Sequence, residues 1–291
     1  MSTRTDPRDW LRTARETSNR RIALYALLTG LIGFFLLPIE TGLVTALKTN
    51  DAFVATLPYV PPGPEGFTLR PARTALAELL PKMLNSVVLV IPATILSALG
   101  GSLAAYGMTN LDWKNQLAVV VLFVAGIFIP YQAVLVPLSR FWAIVGIGQY
   151  SPYAELVELI VTHTAYGLPI TTILFRSYYQ NFSDEMLEAA RLDGASAFSI
   201  YRNIILPLSL PMFAVTMIYQ FTQIWNDLLF ALVLINQPAA QVVTQGLANL
   251  GGGIQTQFNA QMAGALIAAF PTLLVYIAFG EKFAKGVASE T

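Results

Sequence analysis

Six long apolar stretches constrain this chain more than any other feature: roughly Ile22–Pro38, Leu84–Gly107, Leu117–Ser139, Leu156–Phe175, Leu208–Ile235 and Met262–Phe283. A helix needs about 20 mostly apolar residues to cross the hydrocarbon core of a bilayer. The stretches therefore predict an all-α, polytopic membrane bundle of six transmembrane helices. The fourth is the weakest, because Glu155, Glu158 and His163 thin out its start. Composition agrees: 12% of residues are charged, against about 25% in a typical soluble domain. The formal net charge is zero, so no basic field points to nucleic acid. Cysteine is absent, which excludes a disulfide framework and a thiolate metal site, and a lone His163 makes no zinc site by itself.

Four regions follow from this pattern: a segment 1–21, a first helix and loop 22–83, a five-helix body 84–284, and a tail 285–291. The first apolar stretch lacks a small-x-small cleavage pattern after it and reads as a retained anchor. The arginines before it, with Trp10 and Leu11, fit either a short amphipathic helix on the cytoplasmic leaflet or a basic tail. Glu40–Met83 is rich in turn-formers and predicts an extramembrane loop, helical in part near Ala72–Leu80. If the N-terminus lies inside, the inner segments hold twelve basic residues: Arg4, Arg8, Arg12, Arg15, Arg20, Arg21, Lys114, Arg176, Arg191, Arg202, Lys282 and Lys285. The outer ones hold five: Lys48, Arg70, Arg73, Lys82 and Arg140. Basic residues concentrate on the cytoplasmic side, so both termini are expected there.

Between the fourth and fifth stretches lies a polar segment of mixed charge, Glu188-Ala189-Ala190-Arg191-Leu192-Asp193-Gly194, closed by Ile204-Ile205-Leu206-Pro207. The same orientation puts it in the cytoplasm. Ser183 is a fitting N-cap, and Asp184 and Glu185 suit the positive end of a helix. Phe182 and Leu187 are spaced for a hydrophobic staple. Gly194 permits a turn with positive φ, and Ser196 is placed to cap a second helix. Phe198, Tyr201 and Ile205 recur at helical spacing as one apolar face, which Pro207 ends. Two short helices with a break are thus expected over 183–207. They either insert into a groove of a soluble protein or rest on lipid headgroups. Glu188 and Asp193 beside Arg191 favour the protein, since anionic lipid repels them.

This loop is similar to the E-A-A-x3-G-x9-I-x-L-P loop of the membrane subunits of ATP-binding-cassette importers, with every fixed position filled. Through that resemblance Glu188, Ala189, Ala190, Arg191, Asp193, Gly194, Phe198, Tyr201, Leu206 and Pro207 would couple to an ATPase. Closure of an ATPase dimer would then move the helix pair and turn two permease bundles from inward- to outward-facing.

In the fifth stretch Thr216, Gln220, Gln223 and Asp227 fall at i, i+4, i+7 and i+11, a polar line on one helical face. An intramembrane carboxylate is a functional candidate, and a polar seam against a second helix satisfies the same residues. His163, between Thr162 and Thr164, fits either a path or an interhelical hydrogen bond. Asp227 reads as isolated, with His163 on another span, so paired groups for an intramembrane enzyme are not expected. Pro92, Pro130, Pro137, Pro169 and Pro271 are expected to kink their helices. Asn236–Gln261 is uncharged and amide-rich, suited to binding a sugar or a protein surface or to a loop without a partner.

Trp225-Asn226-Asp227 is similar to the W-N-D/E signature of sugar-importing members of the same family. Further matches are Leu84-Asn85-Ser86, Ala104-Ala105-Tyr106, Ile129-Pro130-Tyr131-Gln132 and Pro137-Leu138. Together they resemble the second, shorter permease of the carbohydrate-uptake class that includes the maltose importer. Phe258–Ala265 with Pro271-Thr272 resembles glucose- and mannose-type members.

The resemblance implies a prokaryotic cytoplasmic-membrane assembly: this chain, a homologous permease, two copies of an ATPase and an extracytoplasmic sugar-binding protein, with lipid around the helices. A substrate path along Thr216, Gln220, Gln223, Trp225, Asn226 and Asp227 would carry sugar; a polyol or a sugar phosphate is the alternative cargo. Gly246, Gly251, Gly252, Gly253 and Gln255 would meet the binding protein. The chain would be non-catalytic and hold no cofactor, ATP and Mg belonging to the partner. No G-x4-G-K-S/T phosphate loop occurs in the sequence. A self-sufficient secondary transporter is the reading from a different class.

Overall fold

A computed structural model describes the backbone of residues 7–111, 114–251 and 258–288, and the side chains of 20–111, 114–251 and 258–280. The described residues are nearly all helical, with no strand among them beyond an isolated bridge between Lys48 and Phe67. They divide into two compact units, Met1–Arg73 with Gln257–Leu266, and Thr74–Thr256 with Ile267–Thr291.

The first unit contains α1 (Pro7–Ala46) and α2 (Asn50–Ala55). Helix α1 starts before the first apolar stretch, passes through Pro38 and runs on to Ala46, so the basic segment is helical from Pro7. The apolar stretch of α1 is exposed along its length. Thr49 caps α2 by accepting a hydrogen bond from the Ala52 N–H (3.2 Å). Lys48 is fully buried, its Nζ donating to the Leu57 carbonyl (2.7 Å) and its own carbonyl accepting from the Asn259 amide (3.1 Å). The carbonyl partner compensates a cation removed from water.

Helix α3 (Arg70–Asn110) corrects the expected loop Glu40–Met83. The irregular parts are 47–49 and 56–69. Pro71 sits in the first turn of α3, where a missing N–H costs nothing. The good helix formers of Ala72–Leu80 then continue through Pro81 into the second apolar stretch.

The second unit also contains α4 (Gln116–Ile127), α5 (Tyr131–Val145) and α6 (Ala154–Tyr179). After these come α7 (Asp184–Leu192), α8 (Ala197–Ile200), a π-helical turn (Tyr201–Ile205) and α9 (Leu206–Leu208). The order closes with α10 (Leu210–Trp225), α11 (Leu229–Leu234), α12 (Val243–Gly251) and α13 (Phe258–Ala288), whose residues up to Leu266 belong to the first unit.

Two stretches expected as single helices are broken. The third divides into α4 and α5, bent by 99°. Pro130 is extended (φ −68°, ψ 141°) and stands as the N-cap of α5, so it opens a new helix where a kink was expected. The fifth stretch ends as a helix at Trp225 and resumes at Leu229. Among the described residues, four helices are long and apolar enough to cross a membrane, Arg20–Ala46, Arg70–Asn110, Ala154–Tyr179 and Phe258–Gly280. The number rises to six when each bent pair, α4 with α5 and α8–α9 with α10, counts as one span.

Two apolar clusters fix the directions of the helices in this unit. Leu89, Val90, Leu156, Leu159, Ile224 and Phe230 share one; Ala105, Phe175, Tyr179, Ile205 and Phe213 share the other. Helices α3 and α6 therefore run parallel from the first cluster to the second, and α10 runs back. The segment after α11 folds into a 3-10 turn (Pro238–Ala240) and α12. Gln245 turns inward, its amide donating to the carbonyls of Ala231 (3.1 Å) and Ile235 (3.3 Å). At least this amide serves the fold itself.

Candidate functional site

The E-A-A segment stands at the second cluster's end of the unit. Ser183 Oγ accepts from the Met186 N–H (3.2 Å) and donates to Glu185 Oε2 (2.7 Å). That bond holds the Glu185 carboxyl below its ordinary range, so it stays ionised at the positive helix end. Phe182 and Leu187 join the same apolar cluster, as a staple requires. Gly194 adopts φ +82°, and Ser196 caps α8 by accepting from the Ser199 N–H (3.2 Å). The expected helix–glycine–helix is present.

Its far half differs from expectation. Pro207 does not end the helix, which runs to Leu208 before a break at Ser209. Proline at 207 has no N–H for an i−4 bond, and the π turn just before it, closed by Leu206 N to Tyr201 O, is where the ladder adjusts. The expected single apolar face is also split. Tyr201 and Ile205 are buried, whereas Phe198 is 67% exposed.

The outward surface is therefore Glu188, Ala189, Arg191, Asp193, Gly194 and Phe198, with Leu192 at 89% exposure. Ala190 and Leu206 are half-buried, and Pro207 is exposed. Arg191 also donates to the Asn110 carbonyl (2.7 Å), placing a cation on the C-terminal end of α3. Exposed leucine and phenylalanine side by side with both charge signs form a surface suited to a groove on another protein.

Hydroxyls tie this elbow to the bundle. Ser102 Oγ on α3 bonds the Tyr179 hydroxyl (2.7 Å) and the Tyr201 hydroxyl (2.8 Å), all three residues buried. Tyr106 donates to the Ala197 carbonyl (2.9 Å) and Tyr178 to the Leu208 carbonyl (3.1 Å). Ser102→Ala is expected to destabilise the protein by about 1–3 kcal/mol, the cost of leaving a buried hydroxyl without its partner. A lowered melting temperature in detergent, matched in direction by Tyr201→Phe, checks this.

At the other end of α10 lies a cavity of about 350 Å³. Of the polar line in the fifth stretch, Gln220, Gln223 and Asp227 reach it. Thr216 is fully buried and bonds back to the Met212 carbonyl (3.0 Å). Trp225 is buried, donating to the Ala268 carbonyl (2.9 Å) and stacked on Phe221. Asn226 is exposed and bonds the Thr222 carbonyl (2.8 Å).

Asp227 is not isolated. The break after Trp225 turns its carboxylate toward α6, where Oδ2 lies 3.6 Å from His163 Nε2 and accepts from the Phe230 N–H (3.1 Å). Tyr131 and Tyr166 stack at 4.5 Å beside this pair, both edge-on to Phe230. These tyrosines were not among the expected path residues; their signal was the Ile129–Gln132 motif and the i, i+3 spacing of His163 and Tyr166. No group of three or more His, Cys, Asp or Glu fit to hold a metal occurs among the described residues.

Gly246 is buried against Leu79 and Lys82, and Gly251 is half-buried at the end of α12. Gly252, Gly253 and Gln255 lie outside the described residues.

Residues 97–281 match the family described as binding-protein-dependent transport system inner membrane components. The chain is 50% identical to the xylose/arabinose import permease protein XacI of Haloferax volcanii, over 93% of each chain. It is 26% identical to the glucose import system permease protein GlcU of Saccharolobus solfataricus, over 87% of this chain and 88% of that one. In fold it is similar to a chain of a bacterial ABC transporter involved in import of the acidic polysaccharide alginate, at TM-score 0.73 and 15% identity, covering 97% of this chain and all of that one.

Proposed function

The chain belongs to the binding-protein-dependent transport system inner membrane components, and from that premise we propose that it is one permease subunit of an ATP-driven sugar importer in a prokaryotic cytoplasmic membrane. The likeness to a pentose import permease over nearly the whole of both chains carries this reading. Six spans, with each bent pair counted as one, leave both termini in the cytoplasm, in keeping with twelve basic residues inside and five outside. Arg191 against the end of α3 ties the elbow to the side that also carries Lys114 and Arg202.

A separate ATPase dimer, carrying ATP and Mg, docks on Glu188, Ala189, Ala190, Arg191, Asp193, Gly194 and Phe198. Tyr201, Leu206 and Pro207 pass the motion inward. This chain hydrolyses nothing. A homologous permease completes the path, and an extracytoplasmic sugar-binding protein delivers the cargo near the segment that runs from Gly246 through Gly251. Gln220, Gln223 and Asp227 face the moving sugar, while Thr216, Trp225 and Asn226 shape the helix that presents them. The cavity lining contains no Lys or Arg among the described residues, which favours a neutral sugar over a sugar phosphate.

Purification through a tag on this chain tests the assembly. Recovery of an ATPase and a second permease, with ATP hydrolysis stimulated by a sugar-loaded binding protein, is the expected result. Sugar uptake by the purified chain alone, driven by an ion gradient, would instead identify a secondary transporter.

A further inference from the structure

The His163–Asp227 corner of the cavity has features that coupling to an ATPase does not explain. His163 is 7% exposed, lines the cavity and has no hydrogen-bond partner for Nε2, although Asp227 Oδ2 is 3.6 Å away. A buried polar atom left unpaired is costly, and such groups in native proteins commonly await a ligand or water. Here a carboxylate, an imidazole nitrogen and the Gln220 and Gln223 amides border one space of about 350 Å³.

One wall of that space is aromatic. The Tyr131 and Tyr166 rings are inclined by only 25° to each other, and Phe230 packs against both and against the His163 ring (5.3 Å). Gln223 is braced by its bond to the Tyr219 hydroxyl (3.0 Å). Neutral hydroxyls need donors and acceptors together, which the amides and the carboxylate supply; a ring of C–H groups needs an apolar face, which the tyrosines supply. A pocket of a few hundred Å³ is the size that holds a small molecule. The carboxylate, with no Lys or Arg beside it in the lining, opposes an anion.

Building on the importer reading, we infer that this subunit itself holds one neutral monosaccharide unit within the membrane. The sugar's hydroxyls bridge His163 and Asp227, its apolar face lies on the Tyr131–Tyr166 wall, and Gln220 and Gln223 close the opposite side. One hydroxyl set to the side of the 3.6 Å approach between imidazole and carboxylate can bond both groups. An acidic sugar is excluded by Asp227.

The test uses the whole complex in proteoliposomes, with its binding protein and radiolabelled neutral sugar. Uptake and ATP hydrolysis are measured in the same vesicles for Gln223→Ala, His163→Gln and Ile170→Trp. Gln223 is an exposed cavity residue, and Ile170→Trp fills the space from an apolar position of the lining. Each variant is expected to lower sugar moved per ATP at least tenfold while hydrolysis stays within twofold of the parent. An unchanged ratio overturns the site. Uptake and hydrolysis falling together in all three also overturns it, because that marks a structural role. Failure of the importer reading is distinct: the unmodified complex would then show no hydrolysis stimulated by a loaded binding protein, whatever the variants do.

Discussion

Glu188→Ala combined with Gly194→Asp is expected to abolish sugar uptake while the protein still reaches the membrane in normal amount. Both positions are exposed, and a Cβ at 194 meets no atom of this chain within 4 Å. The cost within the chain is therefore the backbone alone: a side chain at φ +82° loses about 1–2 kcal/mol, and aspartate is among the residues that visit this region most readily. That loss is local and leaves α7 capped by Ser183. The new bulk and charge instead occupy space a partner must enter, and removal of Glu188 takes away an acid from the same surface. Uptake by cells, measured alongside immunoblots of the membrane fraction, decides the matter. Normal uptake at normal abundance would refute the coupling role.

The largest effect on folding is expected at Gly101. A Cβ added there would overlap Thr171 Oγ1 and stand 2.7 Å from the Thr171 Cβ and 2.9 Å from its backbone carbon. A rotamer change clears the hydroxyl but not the backbone, so α3 and α6 would have to separate. Thr171 is fully buried, and its hydroxyl donates to the Ser97 carbonyl (3.0 Å) and the Gly167 carbonyl (2.9 Å), so the separation also breaks a bond across the seam. Overpacking alone costs about 1–3 kcal/mol, and an interhelical bond adds about 0.6 kcal/mol in a membrane. Gly101→Val is expected to fall from the membrane fraction, and Gly101→Ala to survive with a lowered melting temperature. A parent-like melting curve for the valine variant would contradict the close approach of these helices.

The apolar runs and the E-A-A spacing made the bundle and its elbow legible from residues alone, because both depend on local pattern. Ser183, Gly194 and Ser196 each act within three residues of themselves, and each does what its chemistry predicts. Hydropathy has no information about direction, however, so Leu117–Ser139 and Leu208–Ile235 read as single spans although their chains turn. Pro130 acts as a cap or a kink depending on what receives the next helix. Likewise Tyr201 and Ile205 share a stripe with Phe198 in any straight helix; the π turn and the hydroxyl of Ser102 decide which of them goes inside. The approach of His163 to Asp227 joins positions 64 residues apart (227 minus 163). Only the break after Trp225 brings them together, and nothing near either residue announces it.

A single residue, Ser209, separates the elbow from α10. The elbow ends at Leu208, the 75° bend follows, and α10 leads directly to the cavity. From Leu210 to Gln223 the arm is about 20 Å long at 1.5 Å per residue, so a tilt of about 10° at the joint swings its tip by about 3.5 Å. That stroke is about the width of one hydroxyl contact. A small turn imposed at the elbow would thus shift the cavity wall at the far end by about the length of a hydrogen bond.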